Sequence, residues 1–351
     1  MDASYWKALP EKKLSCGLCP HRCVLGEGKR GLCGVRENEG GRMVLPLAGL
    51  VSALAIDPME KKPLFHFLPG TMVFSAGFFG CNMACPFCQN WRISQDYDAA
   101  LEGRLLSPRA LVDAAIASAS PSLAFTYSEP SIHIEYLLEA AGLARQAGLA
   151  TVLVTNGSLL PGPASDLLAL MDAVNVDLKA WSDAAYREIL RGDRGTVLSF
   201  IEAASKTCHL EVTTLVVPGV SDGAEGIQGI AYFLGTLGRG IPLHLSAYHP
   251  DWRWDKAGLP QASLAALAAL ARKSLDFVYL GNTGGIEESR CPSCGGLLAS
   301  RRGYQTRIDG LEAGLPLPEK AAGSPGMGLC GARCASCGAE LPFVLPMPRR
   351  I

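Results

Sequence analysis

Three cysteines stand close together in Gly80-Cys81-Asn82-Met83-Ala84-Cys85-Pro86-Phe87-Cys88-Gln89-Asn90, a C-x3-C-x2-C spacing just past the apolar, strand-like run Met72 to Ser75. Thiolates are the protein's ligands for soft metals and for iron-sulfur clusters. Three of them hold three corners of a cubane [4Fe-4S] cluster and leave the fourth iron open to a substrate or cofactor. Free cysteine is also a small buried hydrophobe. Three within eight residues behind a glycine read instead as ligands.

Twelve of the 13 cysteines fall into three such groups, and Cys208 alone reads as core. The first group is Cys16, Cys19, Cys23 and Cys33, spaced C-x2-C-x3-C-x9-C, which fills a complete coordination shell. Either a tetrahedral zinc or an auxiliary [4Fe-4S] cluster satisfies four thiols, and the crowding of the first three favours the cluster. His21 sits inside this group with no position left to fill. The last group pairs Cys291-Pro292-Ser293-Cys294-Gly295 with Cys334-Ala335-Ser336-Cys337-Gly338. Two C-x2-C-Gly knuckles are a zinc-ribbon signal, with Cys330 left over. The stretch between them, Glu319 to Gly326, reads as a flexible insertion. Arg301, Arg302, Arg307 and Arg333 raise nucleic-acid binding, but a solvated ribbon face explains them more simply.

Elements able to position these groups alternate from Leu106 to about Leu280. Strands are expected at 123–126, 151–155, 173–177, 209–217, 242–246 and 277–280, with amphipathic helices between them. Ser107-Pro108 marks a helix start and Gly148 a stop. Strand-helix alternation with short links implies an α/β fold with a parallel sheet, here a full or partial (β/α) barrel. Chemistry in such barrels sits at the C-terminal ends of strands, and polar residues stand at those positions.

The lead-in Lys61-Lys62-Pro63-Leu64-Phe65-His66-Phe67-Leu68-Pro69-Gly70, the exit Cys88-Gln89-Asn90-Trp91 and the N-terminal cysteines resemble the radical S-adenosylmethionine (SAM) enzyme of the AmmeMemoRadiSam system. That family is itself similar to pyruvate formate-lyase activating enzymes. The resemblance extends over nearly the whole chain. It implies that SAM binds the open iron and is cleaved to a 5′-deoxyadenosyl radical, with electrons from a donor such as flavodoxin or ferredoxin. It also implies roles for strand-end residues. Glu129, in Tyr127-Ser128-Glu129, matches the acid of a family Gly-Gly-Glu that meets the SAM amino group, while Tyr127 and Ser128 depart from it. Thr155-Asn156-Gly157 matches a family Thr-Asn-Gly, although Val154 stands where an Asp often helps bind a monovalent cation. Asp177-Leu178-Lys179 matches an Asp-Leu-Lys near SAM, and His249 aligns with a SAM-contacting histidine. His244 competes for that role. By this resemblance Lys179 and His249 are the expected catalytic residues, and Glu129, Thr155, Asn156 and Asp177 the cofactor-binding ones.

Composition sets the frame. At 351 residues and 48% apolar content the chain is globular. With 32 Lys+Arg against 33 Asp+Glu there is no global charge to attract nucleic acid or a membrane surface. No apolar run approaches a membrane span and the start lacks a secretory core, so the cytoplasm is the expected compartment. The expected divisions are a four-cysteine module with its lead-in at 1–66, the barrel at 67–287 and the ribbon-like tail at 288–351. The substrate stays open: a protein glycine, as for a glycyl-radical activase, a peptide or a small molecule. A different class, a metalloprotein that senses redox state or binds nucleic acid without turnover, rests on the ribbon and the basic residues alone. The Trp252-Arg253-Trp254 loop reads as a packing plug or as a cover over the substrate mouth.

Overall fold

The computed structural model describes residues 2–96, 102–318 and 327–347, and the expected insertion Glu319 to Gly326 lies outside them. The chain opens with a three-stranded antiparallel sheet, β1 (Trp6–Ala8), β2 (Leu14–Cys16) and β3 (Val24–Leu25), and a two-stranded ladder, β4 (Glu37–Glu39) and β5 (Arg42–Val44). A nine-stranded sheet follows, built from β6 (Leu50–Pro58), β7 (Met72–Phe78), β8 (Arg104–Leu105), β9 (Ser122–Thr126), β10 (Ala150–Thr155), β11 (Ala173–Asp177), β12 (His209–Val216), β13 (Leu243–Ala247) and β14 (Val278–Gly281). Its order is β14-β13-β12-β11-β10-β9-β7-β6-β8, so β14 and β8 form its edges and the sheet is open. Strands β7 and β9 to β14 run parallel, and β6 and β8 are antiparallel additions. Each strand expected between 123 and 280 lies within one residue of an observed one. These strands are buried on both faces, which is why they read as continuous apolar runs rather than as alternating ones.

Among the described residues seven α-helices accompany the strands: α1 (Trp91–Ser94), α2 (Pro108–Ala117), α3 (Ile134–Gln146), α4 (Pro161–Leu168), α5 (Arg194–Thr207), α6 (Ala224–Leu237) and α7 (Gln261–Ala271). The start of α2 is as the sequence indicates, with Ser107 Oγ accepting from Ala110 N and Pro108 in the first turn. In the same way the Asp193 carboxylate caps α5 through Thr196 N.

Both ends of the chain are built onto this sheet. Strand β6, inside the stretch expected to form the N-terminal module, pairs along β7. Arg36, next to the first cysteine group, is buried, and its Nη2 donates to both carboxylate oxygens of Glu135 on α3 at 2.6 and 2.8 Å. The tail forms two antiparallel sheets, β15 (Ile286–Arg290), β16 (Leu297–Arg302), β17 (Gln305–Ile308) and β18 (Leu311–Pro316), β19 (Leu329–Cys334), β20 (Glu340–Pro346). It docks on the lead-in, where His66 stacks on Phe343 at 3.6 Å and Val344 N donates to His66 O. One of the four arginines corrects the expectation of a solvated face: Arg301 is 1% exposed. Its guanidinium donates to Ser289 Oγ and Phe65 O and lies over the Phe65 ring. A buried arginine needs such partners because water no longer solvates it.

The Arg36–Glu135 pair ties the N-terminal module to the sheet's helical layer. Removing one partner strands a buried charge, which costs about 3–5 kcal/mol. Glu135→Ala is therefore expected to lower the urea midpoint steeply, while Glu39→Ala on the exposed face leaves it within error.

Candidate active site

The cysteine loop leaves β7 at Phe78 and turns at Gly80, where φ is +86° and a Cβ would collide with the Cys33 carbonyl oxygen. Only glycine accepts both conditions cheaply. Cys85 is buried and Cys81 and Cys88 are half-buried, and all three line a cavity of about 520 Å³. Met83 N donates to Cys81 Sγ at 3.3 Å, Asn156 Nδ2 donates to the same sulfur at 3.7 Å, and Ser94 Oγ lies 3.2 Å from Cys88 Sγ. Burial pushes the Cys81 thiol well above its ordinary range and the Cys85 thiol up to about 11. A bound metal reverses that by taking the thiolate. Three sulfurs facing one cavity, with N–H donors aimed at one of them, fit a cubane cluster with one open iron.

Polar residues from the C-terminal ends of the parallel strands complete this wall: Ser128 after β9, Asn156 after β10, Asp177 and Lys179 at the end of β11, and Ser246 on β13. Lys179 Nζ donates to Asp177 Oδ2 at 3.1 Å. Cys81, Cys85, Cys88, Asn156, Asp177 and Lys179 all line this one cavity. Glu129 and Thr155 are not on the cavity wall. Glu129 is fully buried beneath it, and its carboxylate accepts from Ser131 N, Thr155 Oγ1 and Asn156 N. His249 is exposed and accepts from the Gln89 amide at 2.9 Å, and Gln89 is the member of that pair on the wall. The Trp252-Arg253-Trp254 loop packs on the cysteine loop through Arg253 N to Pro86 O and the edge of Trp254 on Phe87.

Tyr127, which departs from the glycine that the family resemblance implies at this position, has φ +66°. Glycine adopts that left-handed backbone most cheaply, and here neighbouring contacts hold the tyrosine in it. Its hydroxyl donates to Asp57 Oδ2 at 2.8 Å, Lys62 lies 4.6 Å over its ring, and a Cβ at Gly77 would be 2.6 Å from that ring. Burial by itself would raise the Asp57 pKa, but hydrogen bonds from Lys61, Lys62 and Tyr127 hold it well below the carboxylate range.

Sequence reasoning reached His244 on this wall but missed the acid behind it. His244 lines the cavity and its Nε2 donates to Glu211 Oε2 at 2.7 Å, while Glu211 also accepts from Phe65 N, His66 N and His209 Nε2. Burial opposes the charge on Glu211, and the bonds from His209 and His244 overcome it and keep the group ionised. One acid in the apolar run Leu210-Glu211-Val212 was the available signal. Glu60, Phe65 and Arg301 reach the same wall from the lead-in and the tail.

The tail cysteines behave differently from the other two groups. Cys291, Cys294, Cys334 and Cys337 have all four sulfurs within 4.8 Å of one another, with Cys291–Cys337 and Cys294–Cys334 at 3.7 Å. A tetrahedron around zinc, with Zn–S about 2.3 Å, has edges of about 3.8 Å. Cys330 is buried apart from this set, its thiol directed at Leu345 O. Among the described residues no other three cysteine, histidine or carboxylate ligands come so close together.

The family profile described as the Radical SAM superfamily matches residues 77–227. A protein of Methanocaldococcus jannaschii described as uncharacterized is 35% identical over 350 residues, covering 98% of this chain and 99% of that protein. The pyruvate formate-lyase 1-activating enzyme of Escherichia coli is 25% identical over 185 residues, 50% of this chain and 74% of that enzyme. Among solved structures, a domain of a pyruvate-formate lyase-activating enzyme from Bacteroides vulgatus aligns with TM-score 0.40 and 16% identity over 46% of this chain and 99% of that domain.

The turn into the cysteine loop carries a pH signature. His133 Nε2 donates to Phe79 O at 2.7 Å, and burial lowers its pKa from 6.5 to about 4. Below pH 6.5 the unfolded chain takes this proton first, so stability falls as pH drops toward about 4 and levels off beneath it. The loss from this one group is about 3 kcal/mol. Thermal unfolding of wild type and His133→Gln at pH 7 and pH 4.5 should show a smaller acid loss in the variant. Equal losses would remove His133 as a source.

Proposed function

We propose, for a chain that belongs to the radical SAM superfamily, that Cys81, Cys85 and Cys88 hold a [4Fe-4S] cluster whose open iron takes SAM, and that the enzyme abstracts a hydrogen atom from a substrate in the same cavity. The observation that carries this reading is the convergence of those thiols with Asn156, Asp177 and Lys179 on one cavity at the strand ends. When bound, the cluster supplies the electron that breaks the sulfonium bond of SAM to give methionine and a 5′-deoxyadenosyl radical.

The chain's own residues bind, orient and shield. Asp177 and Lys179 offer a carboxylate and an ammonium on the wall, matched to the oppositely charged amino and carboxylate ends of an amino acid. Glu129 and Thr155 act from beneath by fixing the Asn156 backbone, and Gln89 presents its amide with His249 behind it. The apolar side chains of Phe65, Met83 and Leu280 on the wall limit the access of bulk water to a reactive species. An activase-like reaction on a protein glycine draws support from the activating-enzyme relative. A peptide or small molecule fits a cavity of this size equally. The tail cysteines serve as a structural zinc site, supported by their 3.7 Å sulfur spacing. A cytoplasmic setting, where thiols stay reduced, suits all three cysteine groups.

Reduced, anaerobically reconstituted protein is expected to convert SAM to methionine and 5′-deoxyadenosine, and the Cys81→Ala, Cys85→Ala, Cys88→Ala variant to lose that conversion at least a hundredfold. Chromatographic assay of both products decides it, and persistent cleavage in the variant would sink the assignment. Asp177→Asn should weaken SAM binding about tenfold, or about 1.4 kcal/mol, as read by equilibrium dialysis. Elemental analysis of the full chain should find about one zinc that Cys334→Ser releases.

A further inference from the structure

We infer that Cys16, Cys19, Cys23 and Cys33 hold a second [4Fe-4S] cluster, which passes an electron to the cluster at Cys81, Cys85 and Cys88. The inference deepens the proposed function, since it assigns the route by which that site is reduced. It stands first on spacing. One structure contains an internal comparison: the tail cysteines sit with their sulfurs within 4.8 Å, as ligands of one ion do, whereas neither the Cys81, Cys85, Cys88 set nor any three of the N-terminal four come that close. Ligands of a cubane are held apart by the cube of irons and sulfides between them, and ligands of a single zinc are not. Among the described residues the N-terminal four, like the active-site three, do not form such a close group. They still form one group, for a Cβ built on Gly31 would lie 3.8 Å from both Cys23 Sγ and Cys33 Sγ.

It stands second on placement. The N-terminal module grips the active-site loop on both sides of Cys81. On one side the Cys33 carbonyl lies against Gly80, and on the other His21 Nε2 bonds Asn82 O at 2.7 Å. Leu160 N donates to Leu18 O at 3.0 Å, between two ligands of the first group, and fixes the module to the loop after β10. The backbone of Cys33 thus lies against Gly80, the residue that precedes Cys81. Cys16, Cys19 and Cys33 are buried, while Cys23 is half-buried beside exposed Val24. One side of the second site therefore reaches toward the surface, and the other abuts the active-site loop. The transfer balances as single-electron steps: a reduced flavin or iron-sulfur protein gives one electron to the second cluster, which gives it to the first, and no proton or bond changes on the way.

The test uses the full chain, purified without oxygen and loaded with iron and sulfide, as wild type and as the Cys81→Ala, Cys85→Ala, Cys88→Ala variant. Wild type should hold about eight irons per chain and the variant about four, each cubane contributing four. Electron paramagnetic resonance of the dithionite-reduced samples should show one sharp cluster signal in the variant and, in wild type, signals broadened by coupling between neighbouring clusters. A variant free of iron and holding about two zincs would overturn the second cluster, and uncoupled signals in wild type would overturn the transfer. SAM cleavage by wild type is scored separately. Its absence would remove the function proposed above while leaving the iron in the variant to report on the N-terminal site alone.

Discussion

A carboxylate with no access to water sets the geometry of the site. Glu129 lies fully buried at the end of β9, and its oxygens accept from Ser131 N at 3.1 Å, Thr155 Oγ1 at 2.6 Å and Asn156 N at 2.7 Å. Burial raises its pKa, and these donors work against that rise. A buried acid is tolerable only when its oxygens are satisfied. The cost of leaving them bare therefore locks the end of β9 to the end of β10. Asn156 then projects its side chain to Asn82 Oδ1 at 2.9 Å and to Cys81 Sγ, so the constraint reaches the cysteine loop in two steps.

The remaining walls are assembled from segments distant in sequence. The lead-in supplies Glu60 and Phe65, and the tail supplies Arg301 and Tyr304. The Glu60 carboxylate accepts from Gly70 N and Thr306 Oγ1, while Glu211 accepts from the two backbone N–H groups of Phe65 and His66. Such bonds place the lead-in between sheet and tail, and they explain why a stretch too rich in proline and charge for a regular element is nonetheless held rigidly. The tail is therefore part of the cavity as well as the carrier of the four-cysteine group.

The sequence by itself determined the chemistry and the frame. Thiol spacing is local, so C-x3-C-x2-C announces its cluster before any fold is known. Strand positions were legible within a residue because strands buried on both faces must be apolar throughout. Asn156, Asp177 and Lys179 were singled out by the family resemblance of Thr-Asn-Gly and Asp-Leu-Lys, and the structure puts all three on the cavity at the strand ends. Tertiary structure decided the rest. Whether an acid touches a cofactor or braces a loop depends on burial and partners from other strands, which placed Glu129 beneath the wall and Glu211 behind His244. Arg301 looked like surface charge because nothing in a β-hairpin sequence reports that Phe65, more than two hundred residues away, will cover it. The spacing of four sulfurs is likewise set by the fold around them, and linear spacing leaves open that Cys291, Cys294, Cys334 and Cys337 bring theirs within 4.8 Å of one another.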